Sequence, residues 1–228
     1  MDMPLSFLTP VQVIIFDCDG VLFDSRKANQ IFYNHLLTHF GKPPMTGAAL
    51  HYVHMHTVTE SVEFLFREGS LRDQVDLYRQ NLDYTSFIRM MEMEPGLLDF
   101  LAFIRPWAKT AISTNRTTTI GPVLTLFSLD HWFDLVVSAL DVDRPKPDPE
   151  SIYKIMSYFK VGPEECLFIG DSEVDAQTAL SAGVPLVAYK NEELTAALHV
   201  GGFSELTDAF KKNNHLFIPA PLVSAGES

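Results

Sequence analysis

The sequence predicts an α/β protein in which a doubly wound parallel sheet carries an inserted all-α segment. Short apolar runs, rich in β-branched and aromatic residues, alternate with segments that have the periodicity of amphipathic helices. Such alternation is typical of parallel sheets that helices cover on both faces. One long stretch between the first two runs departs from this pattern, because it contains only helical periodicity.

Five apolar runs are predicted to form the buried strands of the sheet. Each run is short, and most of them end at Asp, Gly, Ser or Thr, which favours a strand followed by a turn. In chain order the runs are residues 11–16, 110–113, 133–137, 166–169 and 185–189.

Four helical patterns separate these strands along the chain. They cover residues 96–104, 118–129, 149–159 and 173–182. Asp148 is the predicted N-cap of the third helix and Pro149 its first residue, because proline is well accommodated at the first helical position. Gly183 is predicted to end the fourth helix, since glycine adopts the left-handed conformation found there.

The stretch from residue 22 to about residue 94 is predicted to be an inserted helical subdomain. It holds about 70 residues, far more than one crossover connection requires. The predicted division is residues 23–94 for the insert, and residues 1–22 and 95–228 for the α/β core. Residues 24–92 contain 8 acidic and 7 basic side chains, whereas the remainder of the chain has a net charge of −11.

Three helices are predicted within this insert. Residues 25–40 carry apolar side chains at helical spacing. Thr57 and Glu60 have the spacing of a capping box, for a helix that ends near Gly69. Ser70 is the predicted cap of a longer helix that continues to about Met91.

Composition and charge exclude several classes of protein. The chain has 228 residues, of which 46% are hydrophobic and 20% charged, and this excludes a disordered or low-complexity chain. The net charge is −12, so the chain is not expected to have the basic surface of proteins that bind nucleic acids or anionic membranes. Only two cysteines, no apolar run of transmembrane length and no basic leader predict a cytoplasmic protein. The sequence does not predict an oligomeric state.

Two carboxylates follow the first predicted strand directly. Asp17 and Asp19 lie where open α/β sheets bind their ligands, and Gly20 removes a side chain where the backbone turns. Two carboxylates this close do not both ionise freely unless a cation lies between them or one keeps a proton. The pair therefore indicates a Mg²⁺ site, or a nucleophile beside a general acid. The alternative is an ordinary Asx-turn at the end of a strand.

A second acidic pair follows the fourth predicted strand. Asp171 lies at the carboxyl end of that strand, and Asp175 lies one helical turn later on the same face. Acidic residues also stabilise the first turn of a helix through the helix dipole. That alternative accounts for Asp175 better than for Asp171.

Two further segments carry groups that are suited to binding an anion. Thr114 and Asn115 follow the second strand and precede a helix, so that a hydroxyl group, amides and a helix N-terminus would meet a phosphate. Lys146 lies among three prolines that stiffen the backbone. Such rigidity suits a lysine that binds a fixed anion, although an exposed lysine in a rigid linker is the alternative.

These residues occur in the order Asp-x-Asp, Thr-Asn, Lys and Gly-Asp-x-x-x-Asp. With this order and spacing the sequence resembles the haloacid dehalogenase (HAD) superfamily of phosphohydrolases, over roughly residues 13–189. It is most similar to the branch of phosphoglycolate phosphatase and β-phosphoglucomutase, in which a helical cap lies between the first two motifs. The resemblance implies a HAD-like core with residues 23–94 as the cap.

The resemblance also implies a role for each motif. Asp17 resembles the nucleophile that becomes an aspartyl phosphate, and Asp19 the acid/base that protonates the leaving oxygen and then activates water. Thr114 and Lys146, with Asn115, resemble the groups that bind the phosphate of the substrate.

A bound Mg²⁺ is implied in the same way. Asp17, the main-chain carbonyl of Asp19, and Asp171 resemble its ligands. Asp175 resembles a residue that orders the waters of the metal or holds Lys146. We therefore expect a Mg²⁺-dependent phosphatase that acts on a small phosphorylated metabolite. Phosphoglycolate, sugar phosphates and pyrophosphate all remain open.

Several other interpretations of the sequence are weighed against this one. A phosphomutase has the same four motifs, and a catalytically silent phosphate-binding protein has the same fold. A dehalogenase would lack Asp19, and a phosphonatase would have a lysine motif in the cap. The phosphoacceptor domain of two-component signalling has its motifs in another order.

Three further groups of residues are assigned no catalytic role. Cys18 is not expected to be a nucleophile, because the carboxylates beside it raise the pKa of its thiol. The histidine-rich segment 51–56 is expected to pack within the cap or contact substrate rather than bind a soft metal. Arg67, Arg72 and Arg79 are expected to face solvent.

Overall fold

A computed structural model describes residues 11–67 and 69–212 of the chain. The strands are β1 (Val13–Phe16), β2 (Phe23–Asp24), β3 (Glu92–Met93), β4 (Lys109–Ser113), β5 (Leu135–Val137), β6 (Cys166–Gly170), β7 (Leu186–Tyr189) and β8 (Leu198–Val200). The α-helices are α1 (Arg26–His39), α2 (Gly47–Met55), α3 (Val58–Leu65), α4 (Gly69–Gln80), α5 (Thr85–Ile88), α6 (Leu97–Ile104), α7 (Ile120–Leu126), α8 (Glu150–Phe159), α9 (Glu173–Ala182) and α10 (Phe203–Lys212).

Six of the strands form one parallel sheet with the order β5-β4-β1-β6-β7-β8. The predicted parallel α/β fold is therefore confirmed. All five predicted strands are present, and each differs from its predicted bounds by at most two residues. The strand order reverses direction at β1, which lies between β4 and β6.

The central strand is buried on both faces, because helices cover both sides of the sheet. Side chains alternate between the two faces along a strand. Ile14 and Phe16 join the larger apolar cluster, which includes residues of α6, α7 and α10. Val13 and Ile15 join a second cluster, which includes residues of α8 and α9. Both clusters therefore fix the position of the loop that follows β1.

Helices α1 to α5 pack around an apolar cluster of their own. Its buried members include Phe32, Leu36, Val62, Phe66 and Val75. The capping box of Thr57 and Glu60 is confirmed at the start of α3. The five helices thus have a small core that is distinct from the clusters on the two faces of the sheet.

The prediction that residues 22–94 contain no strand is wrong. Strands β2 and β3 pair in antiparallel fashion where the insert leaves and rejoins the core. Each has only two residues, so neither is long enough to produce a periodic pattern. Glu94 follows β3, and its Oε2 accepts hydrogen bonds from Tyr189 and Lys190 at the carboxyl end of β7. These contacts connect the returning chain to the sheet.

The predicted long helix from Ser70 to Met91 is also wrong, because it is divided between α4 and α5. After Gln80 the last turn closes with i→i−3 hydrogen bonds. The side chain of Asp83 then accepts a hydrogen bond from the Thr85 backbone at 2.9 Å and starts the next helix. The helix predicted to end near Gly69 ends at Leu65, and Ser70 lies inside α4 rather than capping it.

Smaller differences concern helix ends and elements that were not predicted. Pro149 is the N-cap of α8, one residue later than predicted, and Asp148 instead accepts a hydrogen bond from the Glu150 backbone. Gly183 ends α9 in the left-handed conformation as predicted, with φ of 71°. The additional elements are α2, β8 and α10. Across the described residues, no helix has both the length and the apolarity needed to cross a membrane.

Candidate active site

Three neighbouring strands bring the predicted site residues to one edge of the sheet. In the register of the sheet, Phe16 of β1 pairs with Ile112 of β4 and with Ile169 of β6. The carboxyl ends of these strands are therefore level. Asp17 and Thr114 follow β1 and β4 directly, and Asp171 follows β6.

The loop after β1 turns sharply and brings its residues close to Asp171. Gly20 has φ of 87°, in the region that favours glycine, and its N–H donates to the Phe23 carbonyl at 2.8 Å. A Cβ atom on Gly20 would lie 2.1 Å from Oδ2 of Asp171. The absence of a side chain at position 20 therefore provides the space that the Asp171 carboxylate occupies.

Lys146 lies between two carboxylates at the base of the site. Its Nζ donates to Asp17 Oδ1 at 2.8 Å and to Asp175 Oδ1 at 2.6 Å, and its side chain is 3% exposed. Burial acts to lower the pKa of Lys146, but the two carboxylates outweigh burial and raise it. The lysine is therefore cationic at neutral pH, and it is not an exposed residue of a linker.

Asp175 is fully buried and makes hydrogen bonds with both of its oxygens. While Oδ1 accepts from Lys146, Oδ2 accepts from the Ser172 hydroxyl at 2.6 Å and from the backbone N–H groups of Asp171 and Ser172. Ser172 caps α9 in return, which makes a capping box. Asp175 thus connects the first turn of α9 to the position of Lys146.

Asp17, Asp171 and Asp175 form an acidic cluster suited to a cation. Carboxylate oxygens of the three residues lie within 4.8 Å of one another. Burial raises the pKa of Asp17 to about 7, although Lys146 acts to lower it. Burial, together with Asp175, raises the pKa of Asp171 well above its usual value. A bound cation would favour the ionised form of these carboxylates. Because all of the potential ligand atoms are oxygens, the cluster fits a hard cation such as Mg²⁺.

Asp19 pairs with Arg116, a residue that was not among the predicted site residues. Its two oxygens accept from Nε and Nη2 of Arg116, each at 2.7 Å. Burial acts to raise the pKa of Asp19, but the Arg116 guanidinium and its hydrogen bonds outweigh burial, so that this pKa lies below the usual range. Arg116 follows Thr114-Asn115 directly, so the basic residue beside that motif was the available signal.

Thr114 and Asn115 lie at the same edge of the sheet, but they do not begin a helix. Helix α7 starts later, at Ile120. The Thr114 hydroxyl accepts from the Arg116 backbone at 3.1 Å and lines the cavity described next. Asn115 Nδ2 donates to the carbonyls of Met55, in α2, and of Lys146. Asn115 therefore links the insert to the loop that carries Lys146.

A cavity separates the edge of the sheet from the helices of the insert. Asp17, Asp19, Thr114, Lys146 and Asp171 line it from the core. Residues of α1, α2 and α5, and Met91 after α5, line it from the other side. The cavity can thus hold a small molecule with one end at the carboxylates and lysine and the other against the insert.

The remaining candidate residues have structural contacts. Burial first, and Asp19 second, raise the pKa of Cys18, so its thiol is not activated. Arg72 pairs with Glu63, and Arg79 with Asp76. Of the histidine-rich segment, His54 accepts a hydrogen bond from Asn29 and lines the cavity. Among the described residues, the acidic cluster is the one group of side chains found with the spacing of metal ligands, and it contains no histidine.

Comparison with known proteins gives consistent matches. The family model for haloacid dehalogenase-like hydrolases matches residues 14–189. A phosphoglycolate phosphatase of Pseudomonas putida is 28% identical over 195 residues, which cover 77% of this chain and 68% of that protein. The crystal structure of a HAD-superfamily hydrolase from Geobacter sulfurreducens is 36% identical, with a TM-score of 0.71, and the match covers 87% of this chain and 95% of that one.

A further solved structure shares the fold. The β-phosphoglucomutase of Clostridium difficile superimposes with a TM-score of 0.76 at 19% identity, covering 90% of this chain and 99% of that one. At this identity the similarity describes the architecture alone. The matched region of the family, residues 14–189, includes every residue of the acidic cluster, Lys146 and Arg116.

Proposed function

The chain belongs to the haloacid dehalogenase-like hydrolases and is a phosphatase, and on this premise we propose that it hydrolyses small phosphate monoesters with Mg²⁺ and an aspartyl-phosphate intermediate. The observation that supports the proposal is the convergence of Asp17, Asp171 and Lys146 on one cavity. Phosphoryl transfer depends mainly on positioning and on neutralising charge. This cavity supplies a carboxylate nucleophile together with cationic and hydroxyl donors.

Asp17 would act as the nucleophile. One of its oxygens forms a bond to phosphorus while the bond between phosphorus and the alcohol oxygen breaks. Lys146, which donates to Asp17 Oδ1, would neutralise charge between that carboxylate and the dianionic phosphate. Thr114 would donate its hydroxyl hydrogen to a phosphate oxygen, because its oxygen already accepts from Arg116. Asn115 would support this site by holding the Lys146 loop.

Asp19 would be the general acid and base. It would donate a proton to the leaving alcohol oxygen, and would later accept one from the water that attacks the aspartyl phosphate. Arg116 fixes the orientation of its carboxylate through two hydrogen bonds. The pair with Arg116 holds the pKa of Asp19 below its usual range, so the negative charge of the bound phosphate would have to raise that pKa before Asp19 carries the proton that it donates.

Asp17 and Asp171, with the main-chain carbonyl of Asp19, would hold Mg²⁺. When bound, Mg²⁺ would neutralise charge on the phosphoryl oxygens. Asp175 would serve mainly to position Lys146, because both of its oxygens already accept hydrogen bonds. This choice follows from its contacts, and it favours one of the two roles considered for Asp175.

Residues 23–94 would act as the cap, and residues 1–22 and 95–228 as the core domain. The separate apolar cluster of α1 to α5 supports this division. Such a cap would cover the reacting groups, exclude bulk water and contact the part of the substrate that leaves. We also propose that the protein works in the cytoplasm, since Cys18 and Cys166 are buried and unpaired.

The direct test replaces the nucleophile by its isosteric amide. Asp17→Asn should lower the rate of phosphate release by at least about 10³-fold, because an amide oxygen is a poor nucleophile. Asp208→Asn, which changes an exposed aspartate of α10, is the matched control and should leave the rate unchanged. The measurement is phosphate release from a panel of small phosphomonoesters, with Mg²⁺ and with chelator.

Four outcomes would contradict the proposal. A rate near that of the wild type for Asp17→Asn would exclude Asp17 as the nucleophile. Full activity in chelator would exclude the metal. Absence of phosphate release from every ester would favour a silent binding protein, whereas transfer of phosphate to a second sugar phosphate would favour a mutase.

A further inference from the structure

The cap side of the cavity brings no lysine, arginine, aspartate or glutamate among the described residues. Each arginine and lysine that the structure describes within residues 23–94 lies outside the cavity lining, as does each aspartate and glutamate. The charged groups that line the cavity belong to the core: Asp17, Asp19, Arg116, Lys146 and Asp171. Burial lowers the pKa of His54, so this cap residue is neutral at pH 7.

Apolar and aromatic side chains form much of the cap wall. The rings of Phe32 and Phe87 meet edge to face with centroids 5.5 Å apart, and Tyr84 lies 5.3 Å from Phe32. Ile88 and Met91 extend this surface toward Arg116, and Met91 Sδ accepts a hydrogen bond from Nη2 of Arg116. Such a surface favours a flat apolar group over a hydrated anion.

Arg116, the cavity cation nearest this wall, is already paired. Its Nε and Nη2 bind Asp19, and its Nη1 donates to the Thr119 hydroxyl at 3.3 Å. The side chain is 12% exposed. A carboxylate on the substrate would have to compete with this buried ion pair, and separating the pair would leave Asp19 without its partner.

The polar cap residues that line the cavity include Asn29, Tyr33, His54 and His56, and none of them is a lysine, an arginine or a carboxylate. Asn29 Nδ2 donates to His54 Nδ1 at 3.1 Å, and both residues line the cavity beside Tyr33. A hydroxyl group suits this surface, because it exchanges hydrogen bonds without bringing a charge. A second carboxylate or phosphate would lose its hydration without gaining a cation.

We propose that the leaving group of the substrate is an uncharged alcohol with an apolar, aromatic-sized body. This inference rests on the proposed phosphatase function, because it concerns the side of the same site that holds the leaving group. It separates this chain from a phosphatase for phosphoglycolate, whose leaving group carries a carboxylate.

A binding experiment tests this preference without any turnover. Benzylphosphonic acid and phosphonoacetic acid share a phosphonate, but one carries a phenyl ring and the other a carboxylate. We expect calorimetric titration of the Mg²⁺-loaded wild-type protein to give a Kd at least tenfold lower for benzylphosphonic acid. Equal affinities, or tighter binding of phosphonoacetic acid, would overturn the inference.

A kinetic experiment locates the preference in the cap wall. Phe87→Ala should raise KM for benzyl phosphate about tenfold and leave KM for methyl phosphate unchanged, since a methyl group does not reach the wall. Phe40→Ala is the matched control, because Phe40 is a half-buried phenylalanine of the same cap cluster outside the cavity lining. Unchanged KM values for Phe87→Ala, or the same rise for Phe40→Ala, would overturn the inference.

The two experiments separate failure of this inference from failure of the phosphatase function. If no ester is hydrolysed, the phosphatase proposal fails, and the phosphonate affinities then show only whether the cavity prefers a phenyl ring or a carboxylate. If esters are hydrolysed and kcat/KM is higher for phosphoglycolate than for benzyl phosphate, the phosphatase proposal stands and this inference fails. Phe87→Leu replaces Phe87→Ala if the alanine variant does not fold, with the same expected direction.

Discussion

At the scale of single residues, the site depends on how charges are paired. Four carboxylates and two cations lie at one edge of the sheet, and each cation is shared or held by particular partners. Lys146 forms ion pairs with both Asp17 and Asp175, whereas Arg116 forms an ion pair with Asp19. The two aspartates of the first motif thus have different surroundings, which raise the pKa of Asp17 and lower that of Asp19. A nucleophile must be ionised and a general acid must carry a proton, so these shifts are opposite to what the proposed reaction needs. In that reaction a bound Mg²⁺ would lower the pKa of Asp17, and the negative charge of the phosphate would raise the pKa of Asp19.

The pair of Arg116 and Asp19 should contribute to stability in a pH-dependent way. Because the pKa of Asp19 is lower in the folded protein, the pair stabilises the fold above pH 4, and this contribution is lost as the pH falls. Arg116→Gln should therefore lower the free energy of unfolding by about 3 kcal/mol at pH 7 and by less at pH 3. Urea denaturation at the two pH values measures both differences.

Lys109→Gln is the matched control for this prediction. It removes an ion pair with Asp134 in which the lysine side chain is 61% exposed. Exposed pairs contribute less than about 1 kcal/mol, so this variant should differ little from the wild type at either pH. An Arg116→Gln penalty that stays constant between pH 3 and pH 7 would contradict the assigned role of the pair.

At the scale of secondary-structure elements, the sequence predicted what periodicity can encode. The five strands and the helices α6, α8 and α9 have apolar patterns long enough to be recognised. Strands β2 and β3 have two residues each, which is too short for an alternating apolar pattern. The break between α4 and α5 contains a side-chain hydrogen bond of Asp83 to the Thr85 backbone, of a kind that competes with helix continuation. By contrast, α10 is not among the predicted helices, although Phe203, Leu206 and Phe210 have the spacing of a buried helix face.

The same reasoning explains which parts of the site were predicted. The Asp, Thr and Lys residues follow strands directly, so strand prediction located them. The ion pair of Arg116 with Asp19 joins positions 97 residues apart, and no local pattern encodes such a contact. The cap side of the cavity depends on the packing of α1, α2 and α5 against the core, which the sequence alone did not define.

The capping box of α3 should stabilise this helix locally. Thr57 Oγ1 accepts from the Glu60 backbone, and Glu60 Oε2 accepts from the Thr57 backbone at 2.9 Å. Thr57→Ala should cost about 1 kcal/mol and should speed amide hydrogen exchange within α3. Hydrogen exchange followed by mass spectrometry measures the effect. Thr38→Ala, at an exposed position inside α1, should produce no such change, and unaltered exchange in α3 of Thr57→Ala would contradict the prediction.

At the scale of the whole molecule, the buried carboxylates connect metal binding to stability. In the metal-free fold the pKa values of Asp17 and Asp171 are raised, so the folded state holds protons that the unfolded chain has released. The stability that these protons provide is present below about pH 4 and is lost as the pH rises toward 7. Mg²⁺ binding requires both carboxylates to be ionised.

Stabilisation by Mg²⁺ should therefore increase with pH. Saturating Mg²⁺ should raise the melting temperature by about 5 °C at pH 8, and by less than about 1 °C at pH 5. Thermal denaturation followed by circular dichroism measures both shifts. Asp171→Asn should abolish the shift at pH 8, because it removes one ligand. Equal shifts at the two pH values would contradict the linkage between protons and metal.

The distances along the chain between the reactive groups have a consequence for the biosynthesis of the protein. Asp17 and Lys146 are 129 positions apart, and Asp175 follows Lys146 by another 29. A ribosome therefore releases Asp17 long before Lys146, and releases β6 and α9 later still. Parallel pairing between such distant strands forms slowly, because a long loop must close first. With the proposed roles of these residues, we expect a nascent chain that ends before β6 to be inactive, and phosphatase activity to appear only once all three segments are translated and folded.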